Sequence, residues 1–476
     1  MPKSLFCRVK LVILREFKNL YFINIYMANV IKLRKGLNIN LKGKAPLEKA
    51  DVKSTGLFAI VPDDFVGTKP KVVVKEGDNV KVGDALFVDK KHPEVKFVSP
   101  VSGKVSAVER GERRKILSVQ VVADAQQDYK DFGKKSVANL KREDVLSALL
   151  EAGLFAFFRQ RPYDVVANPE DAPKAIFVSA FSSMPLAQDF EYVLKGQEED
   201  FQTGLDALAK LAPTYLGVSS KQTANALTAA KNVTINVFDG PNPAGNVGVQ
   251  INHVSPINKG EIVWTLGAEE VIFVGRLFNT GKVNLTRTIA FAGSEVNKPA
   301  YVDVLVGQQL TTLIEGNVST DKHIRIISGN PLTGFKVEKE GFITAHSTEV
   351  TVIPEGDETH ELFGWIAPRF NEFSTSRSYF SWLFPKKDGY VLDARIKGGH
   401  RHMIFSGEYD SVFPMDIYPE QLLKAIITGD IDKMEQLGIY EVAPEDFAVA
   451  EFVDSSKVEL QRIVRESLDM LRKENE

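Results

Sequence analysis

Residues 71–87, KVVVKEGDNVKVGDALF, decide the fold of the first part of the chain. Short Val-rich runs are separated by Gly77-Asp78 and Gly83-Asp84, residue pairs that tolerate the positive φ of tight reversals. Residues 95–121 repeat the idea, with Ser99-Pro100-Val101-Ser102-Gly103 as the turn and 116–122 as a strand. Two similar halves of short strands predict a small β sandwich. Just upstream, Leu37, Ile39 and Leu41 alternate with polar residues at the period of a half-buried strand.

Downstream, 123–137 is polar and reads as a linker. Leu146, Leu150, Leu154, Phe157 and Phe158 then share one helical stripe, which Gly153 interrupts and Pro162 ends. Burying each such side chain is worth about 1.5–3 kcal/mol, so the stripe predicts a core-facing docking helix. Residues 175–281 alternate strand and helix: strands at 174–179, 214–218, 233–238 and 271–274, helices at 198–211 and 221–230. That spacing predicts a parallel, Rossmann-like sheet, and such sheets bind ligands beyond the C-terminal ends of their strands. Residues 287–354, rich in Val, Ile and Thr with Gly-Ser and Gly-Asn turns, form a compact β or α+β unit, and the composition turns helical from Met415.

The bulk numbers agree with a multidomain α/β protein. A chain of 476 residues is long enough for about three domains, and 44% hydrophobic with 25% charged residues is an ordinary globular balance. A net charge of −3 argues against nucleic acid as a partner, and Arg113-Arg114-Lys115 reads as a solvated turn. The single cysteine, Cys7, excludes intramolecular disulfides, thiolate iron–sulfur or zinc sites and, beyond residue 7, a cysteine nucleophile. Residues 19–31 are uncharged but fall short of the ~20 apolar residues that span a bilayer. Met27 reads as the start, with 1–26 an upstream extension; the second reading is an amphipathic surface anchor. The expected division is extension 1–26, sandwich 27–125, linker and docking helix 126–165, Rossmann-like unit 166–286, a further unit 287–356, an aromatic-rich connection 357–414, and helices 415–476.

Self-contained catalytic devices are missing: there is no G-x-S-x-G, no H-E-x-x-H and no P-loop. His400-Arg401-His402 reads as a surface turn and no metal site is expected; Glu198-Glu199-Asp200 reads as a helix start complementing the macrodipole. The loop 239–253, DGPNPAGNVGVQINH, follows a strand and is the candidate site, through Asp239, Gly240, Gly245, Gly248 and His253. It lacks G-x-G-x-x-G, Pro241 and Pro243 remove two amide donors, and no helix start is evident after it. It is therefore a tight connection or a site for a flat, uncharged ligand. Six aromatic rings within residues 370–384 belong to a core or to an interface.

Two resemblances extend this reading. V-K-E-G-D-x-V-x-x-G-D-x-L followed by S-P-V-S-G-K-V resembles the biotinyl/lipoyl-type barrel-sandwich fold, whose hairpin tip carries a modified lysine. Lys90 and Lys91 stand near that tip, but His92-Pro93-Glu94 lengthens it, so a structural use is expected and a carrier role is the lesser alternative. The order of units, with K-G-L-N-I-N-L-K-G at 35–43, D-K-K-H-P-E-V-K-F at 89–97, F-D-G-P-N-P-A-G at 238–245 and E-L-F-G-W at 361–365, resembles the NqrA family of the sodium-translocating NADH:quinone reductases. R-I-I-S-G-N-P-L-T-G within 287–354 is similar to that family's ubiquitin-like β-grasp module.

The resemblance implies one of six subunits of an inner-membrane complex that oxidises NADH, reduces a quinone and exports sodium. It places this chain peripherally on the cytoplasmic face beside five others, which hold the flavins and the iron–sulfur cluster. The flavoprotein of respiratory complex I and the RnfC component of the Rnf electron-transport complex are more distant relatives, in which a glycine-rich loop approaches flavin. Here 153–162, GLFAFFRQRP, puts rings where that loop needs small residues, and Glu451, Asp454, Ser455 and Ser456 stand where cysteines hold a cluster. No redox cofactor is expected on this chain. Many members of the family carry histidines at Gln250 and Asn252, whereas here His253 stands one place on. The expected role is a docking component that contributes to quinone binding through the 239–253 loop; the alternatives are a purely structural scaffold or an RnfC-like component.

Overall fold

The computed structural model describes residues 30–319, 321, 323–358, 363, 366–375, 377, 379–384 and 386–475. Cys7, Met27, the upstream extension and all of the 361–365 motif except Phe363 lie outside the described residues.

The sandwich forms from a four-stranded sheet, in the order Leu57–Ile60, Ile116–Ala123, Gly103–Arg110, Asn79–Val80, and a three-stranded sheet of Pro70–Val72, Ala85–Asp89 and Lys96–Val98. Gly77 and Gly83 both adopt φ of +92°. The aspartate after each closes its turn the same way: Asp78 accepts from the Lys75 amide at 2.7 Å and Asp84 from the Lys81 amide at 2.8 Å. Phe87 and Phe97 stack at 4.5 Å in the shared core. Residues 37–41 differ from expectation. Their alternation is real, with Ile39 and Leu41 buried, yet they form no sheet strand, and only Leu41 bridges to Tyr390. Side-chain period reports burial on one side, not the presence of a pairing partner.

A seven-stranded sheet organises the middle of the chain, in the order Val30–Lys32, Thr234–Asp239, Thr214–Ser219, Ala175–Ser179, Val263–Gly267, Arg159–Arg161, Val165–Val166. The first five are parallel; Arg159–Arg161 runs against them, and Val165–Val166 pairs antiparallel to Arg159–Arg161. Two edges thus come from outside 166–286: Val30–Lys32 precedes the sandwich, and Arg159–Val166 belongs to the stretch read as linker and docking helix. The docking helix is Arg142–Glu151 only. Gly153, at φ +71°, ends it where a Cβ would lie 2.4 Å from Val98 Cγ1, and a 3-10 turn Leu154–Phe157 follows.

Two further expectations are corrected. Residues 271–274 are not a strand but part of the helix Ala268–Thr280, and 221–230 contains only the single turn Asn225–Thr228. The run Val-Ile-Phe-Val looks like a buried strand because Ala268–Gly275 is buried on every side, which erases helical period. Its packing shows why: a Cβ on Gly275 would lie 1.7 Å from Asp200 O, and one on Gly204 would lie 2.1 Å from Val271 O. These glycines let the helix Glu198–Leu211 lie directly against Ala268–Thr280.

A five-stranded sheet follows, in the order Ala300–Leu305, Thr286–Ala292, Glu349–Pro354, Ile324–Ser328, Phe335–Val337, with a short helix Thr311–Ile314 and a core of its own. The C-terminal helices Glu408–Val412, Pro419–Thr428, Ile431–Gln436, Ala448–Val453 and Leu460–Asn475 share one core with Leu33, Phe238 and Val249 of the parallel sheet and its helix. In the aromatic stretch, Phe370 meets both Phe380 and Phe384 while all three stay exposed, whereas Phe373 packs against Tyr390 and Phe452.

Candidate functional site

In chain order the four central parallel strands are arranged third, second, first, fourth, so the strand order reverses between Ala175–Ser179 and Val263–Gly267. Such a reversal of strand order is where an open parallel sheet takes its ligand, beyond the C-terminal ends of the strands. A cleft of about 790 Å³ occupies that position, and Ser179 and Gly267 both line it. The module 286–354 supplies Asn330, His346 and Glu349, and the C-terminal helices supply Glu445, Gln461 and Arg465. A second cleft, of about 600 Å³, lies beyond the neighbouring strands and is bordered by Asn38, Lys44, Ser183 and Gln222.

The five residues expected from the sequence do not meet in one cavity. Asp239 and Gly240 line the smaller cleft, and Asp239 accepts a hydrogen bond from the Ser220 hydroxyl at 3.1 Å. Gly245 lines the larger cleft. Gly248 and His253 lie on neither. A helix does begin after the loop, Val247–Val254 with Asn246 before it, contrary to expectation, and it carries both residues away. Gly248 packs against the Asp446 carboxylate, where a Cβ would come within 2.4 Å, and His253 is exposed with Nδ1 2.9 Å from Val249 O.

The ionisable groups of the larger cleft were missed. Glu269 and Glu270 open the helix Ala268–Thr280, so placing a strand at 271–274 hid the Gly-Ala-Glu-Glu turn that follows the true strand. Arg287 donates to Glu270 Oε1 at 2.8 Å and to Ser347 O at 2.9 Å. Burial alone would raise the Glu270 carboxyl, but Arg287 and His346 outweigh it and hold the group down at about 2. Burial also pushes His346 down to about 4, reinforced by Arg159. Glu269 goes the other way: burial pushes it up to about 7, with Arg287 opposing and Glu270 adding to the rise. Its Oε2 lies 3.7 Å from Arg287 Nε, outside hydrogen-bond range, and neither of its oxygens has a hydrogen-bond partner. Glu349 is likewise raised by burial, although the Thr348 hydroxyl donates to it at 2.7 Å.

The two segments that the sequence reading set against cofactor-holding segments, 153–162 and 451–456, make close contacts of their own. Phe155 and Phe158 stack at 5.2 Å and meet Trp264 edge-on, while Phe157 packs on Phe65, Phe273 and His346. Near the C terminus, Asp454 accepts from the Ser456 and Val458 amides at 3.0 and 2.7 Å, and Glu451 accepts from the Gln461 amide at 2.8 Å. These carboxylates hold a turn. Among the described residues one group brings metal-ligand atoms within 4.8 Å of one another, His92 with Glu94 and Glu170, both glutamates exposed. No helix among the described residues is long and apolar enough to cross a membrane.

Residues 31–124 match the family model described as the NqrA N-terminal barrel-sandwich hybrid domain, 140–283 the NqrA second alpha/beta domain, and 288–339 the NQRA C-terminal domain. The A subunit of the Na(+)-translocating NADH-quinone reductase from Neisseria meningitidis serogroup B (strain ATCC BAA-335 / MC58) is 35% identical over 450 residues, covering 94% of this chain and 100% of the relative. Its counterpart from Vibrio vulnificus (strain YJ016) is 36% identical over 448 residues, again 94% and 100%. Superposition on the air-oxidised NAD+-reducing [NiFe]-hydrogenase covers 71% of this chain and 69% of that one at 13% identity and a TM-score of 0.35, too low to carry an argument. With three matching domains and full-length relatives above a third identical, the chain belongs to the NqrA family, the A subunits of the Na(+)-translocating NADH-quinone reductases.

Proposed function

We propose that this chain is the peripheral, cofactor-free NqrA component of such a reductase, docked on the cytoplasmic face against five partner subunits, and that its larger cleft takes the quinone headgroup. The parallel sheet is then Rossmann-like, the module 286–354 a β-grasp unit and the C-terminal helices a separate helical domain. Strand order supports the first two readings: third, second, first, fourth in the parallel sheet, and second, first, fifth, third, fourth in the module.

The observation that carries the quinone assignment is the position and lining of the 790 Å³ cleft. It sits where an open parallel sheet takes its ligand, and Phe157, Phe181, Leu266 and Leu332 offer apolar surface among polar and charged neighbours. A flat, uncharged ring with two carbonyl oxygens suits that lining. What supports a cofactor-free chain is that Phe155 and Phe158 pack on Trp264 where a glycine-rich loop would need small residues, and that Asp454 and Glu451 use their oxygens on backbone amides. Electrons then pass through partner subunits, which supply the flavins and the iron–sulfur cluster. Of the residues expected from the sequence, Gly245 belongs to this site. Asp239 and Gly240 belong to its smaller neighbour.

Photoaffinity labelling of the full chain with a short-chain azidoquinone tests the assignment. Label competed away by unmodified quinone is expected on peptides containing 180–184, 265–270 or 330–335. Competed label confined to peptides of the smaller cleft would move the site, and no competed label would favour a structural scaffold.

A further inference from the structure

Within the larger cleft one side chain stands out by what it lacks. Glu269 is 2% exposed and lines the cleft, yet neither carboxyl oxygen has a hydrogen-bond partner. Leaving a buried polar group unpaired costs about 1–3 kcal/mol, more for a charged one, so such a group in a folded protein calls for a bonding partner. Its charged neighbour cannot supply one: the Arg287 guanidinium spends its two terminal nitrogens on Glu270 and Ser347, and its Nε stays 3.7 Å away. The Gln188 side chain lies close enough to temper the rise of the carboxyl as a weak donor outside ordinary hydrogen-bond geometry, and its own Oε1 has no partner.

The position of Glu269 adds direction. It is the second residue of a 13-residue helix whose first turn, Ala268 to Glu270, borders the cleft, and first-turn amides have no acceptor within their helix. An acceptor oxygen placed there meets both the amides and the carboxyl. The charged groups facing Glu269 are Glu270 and Arg276 from its own helix and Arg287 from the adjacent strand, with His346 next beyond Glu270. Glu270 already neutralises Arg287 through a direct bond, and His346, held down at about 4, is neutral near pH 7. A proton on Glu269 therefore removes a buried anion that Arg287 Nε, at 3.7 Å, offsets only in part, and creates a hydrogen-bond donor in the wall of the cleft.

We propose that protonated Glu269 is the group that recognises the ligand of this cleft, donating its carboxyl O–H to a carbonyl oxygen of the quinone headgroup. The inference rests on the quinone reading given above and names the residue that reads the ring. It is a specificity-determining contact and involves no electron transfer on this chain. When pH rises and the carboxyl ionises, the same oxygens become acceptors facing the quinone's lone pairs, and affinity falls.

Calorimetric titration of the full chain with ubiquinone-1, at pH values from 6 to 8.5, tests the proposal on wild type, Glu269→Gln and Glu269→Ala. Wild-type affinity is expected to fall about tenfold across that range, the loss of one hydrogen bond worth ~1.4 kcal/mol. Glu269→Gln keeps an N–H donor that does not titrate, so its affinity should stay within about twofold of wild type at pH 6 and remain flat with pH. Glu269→Ala should bind about tenfold more weakly at pH 6 and also be flat. A Gln variant that retains the wild-type pH profile, or an Ala variant with wild-type affinity at pH 6, overturns the role of Glu269 while leaving quinone binding standing. No binding by wild type at any pH overturns both.

Discussion

Arg161 shows how this protein handles a buried charge. It is fully enclosed, donates to Asp446 Oδ2 at 3.1 Å and to Glu445 at 3.0 Å, and joins the sheet edge to the C-terminal helices. Asp446 in turn accepts from the Ala443 amide at 2.9 Å, so removing the guanidinium strands a carboxylate that cannot turn to water. Arg161→Ala should therefore lower the unfolding free energy by roughly 3–5 kcal/mol in a denaturant titration, the usual cost of breaking one half of a buried pair. A loss below about 1 kcal/mol would mean that Asp446 finds solvent. Glu269 sets a pH dependence of opposite sign to the common one for a carboxyl. Glu269 sits at about 7 when folded against an ordinary 4.5, so its contribution is fully present below 4.5 and is lost as pH rises toward 7. His346, at about 4 against 6.5, contributes above 6.5 and loses its share as pH falls toward 4. Ligand-free Glu269→Gln should thus gain melting temperature relative to wild type between pH 5 and pH 8, by a few degrees. A constant difference across that range would mean that Glu269 does not titrate between pH 5 and pH 8.

Elements differ in how plainly the chain announces them. The helix Glu198–Leu211 was legible to the residue because three acids open it and its apolar positions keep one face. The sandwich turns were legible because Gly and Asp have local reasons to be there. The helix Ala268–Thr280 was not, since a helix buried on all sides carries no period and Val-Ile-Phe-Val favours the wrong reading. Val30–Lys32 was missed for a different reason: three residues are too few for a pattern, and their partner strand lies some two hundred positions away. The larger cleft follows the same logic. Its lining comes from segments around 180, 268, 330, 346 and 445, and no window of sequence holds more than one of them. What sequence could have revealed was Glu269-Glu270 at a strand-to-helix turn. The packing of that helix gives the prediction proper to this scale. Gly275→Ala places a methyl 1.7 Å from Asp200 O, a backbone atom that cannot swing aside, so the helices must separate. A destabilisation of about 1–3 kcal/mol is expected from such overpacking, read as a drop in melting temperature. It should outweigh the helix-propensity gain of up to ~1 kcal/mol that alanine brings. A variant as stable as wild type would show that the two helices can shift apart without cost.

For the molecule as a whole, the cores predict which parts open together. The C-terminal helices share a single apolar cluster with Leu33, Phe238 and Val249, and Arg161 bonds across the same boundary, so neither side keeps a closed core without the other. The module 286–354 is built differently: Ile289, Val302, Leu313, Val350 and their neighbours form a core internal to it. Partial opening follows contiguous cores, because an opening that splits one exposes apolar area worth about 25 cal/mol per Å². Native-state hydrogen exchange at rising denaturant should therefore show the amides of Pro419–Thr428 and Leu460–Asn475 exchanging in the same step as the strand Thr234–Asp239. Those of Thr286–Ala292 and Glu349–Pro354 should exchange in a step of their own. Separate steps for the C-terminal helices and the parallel sheet would mean that their common cluster is a docking contact, not a joint core. The larger cleft would then be a seam between bodies that move independently, and its quinone affinity should fall when the helices are detached by mild denaturant. A joint step makes the wall formed by Glu445 and Arg465 as rigid as the sheet it faces, and leaves the module side, with Asn330 and His346, as the wall that can open to admit a ligand.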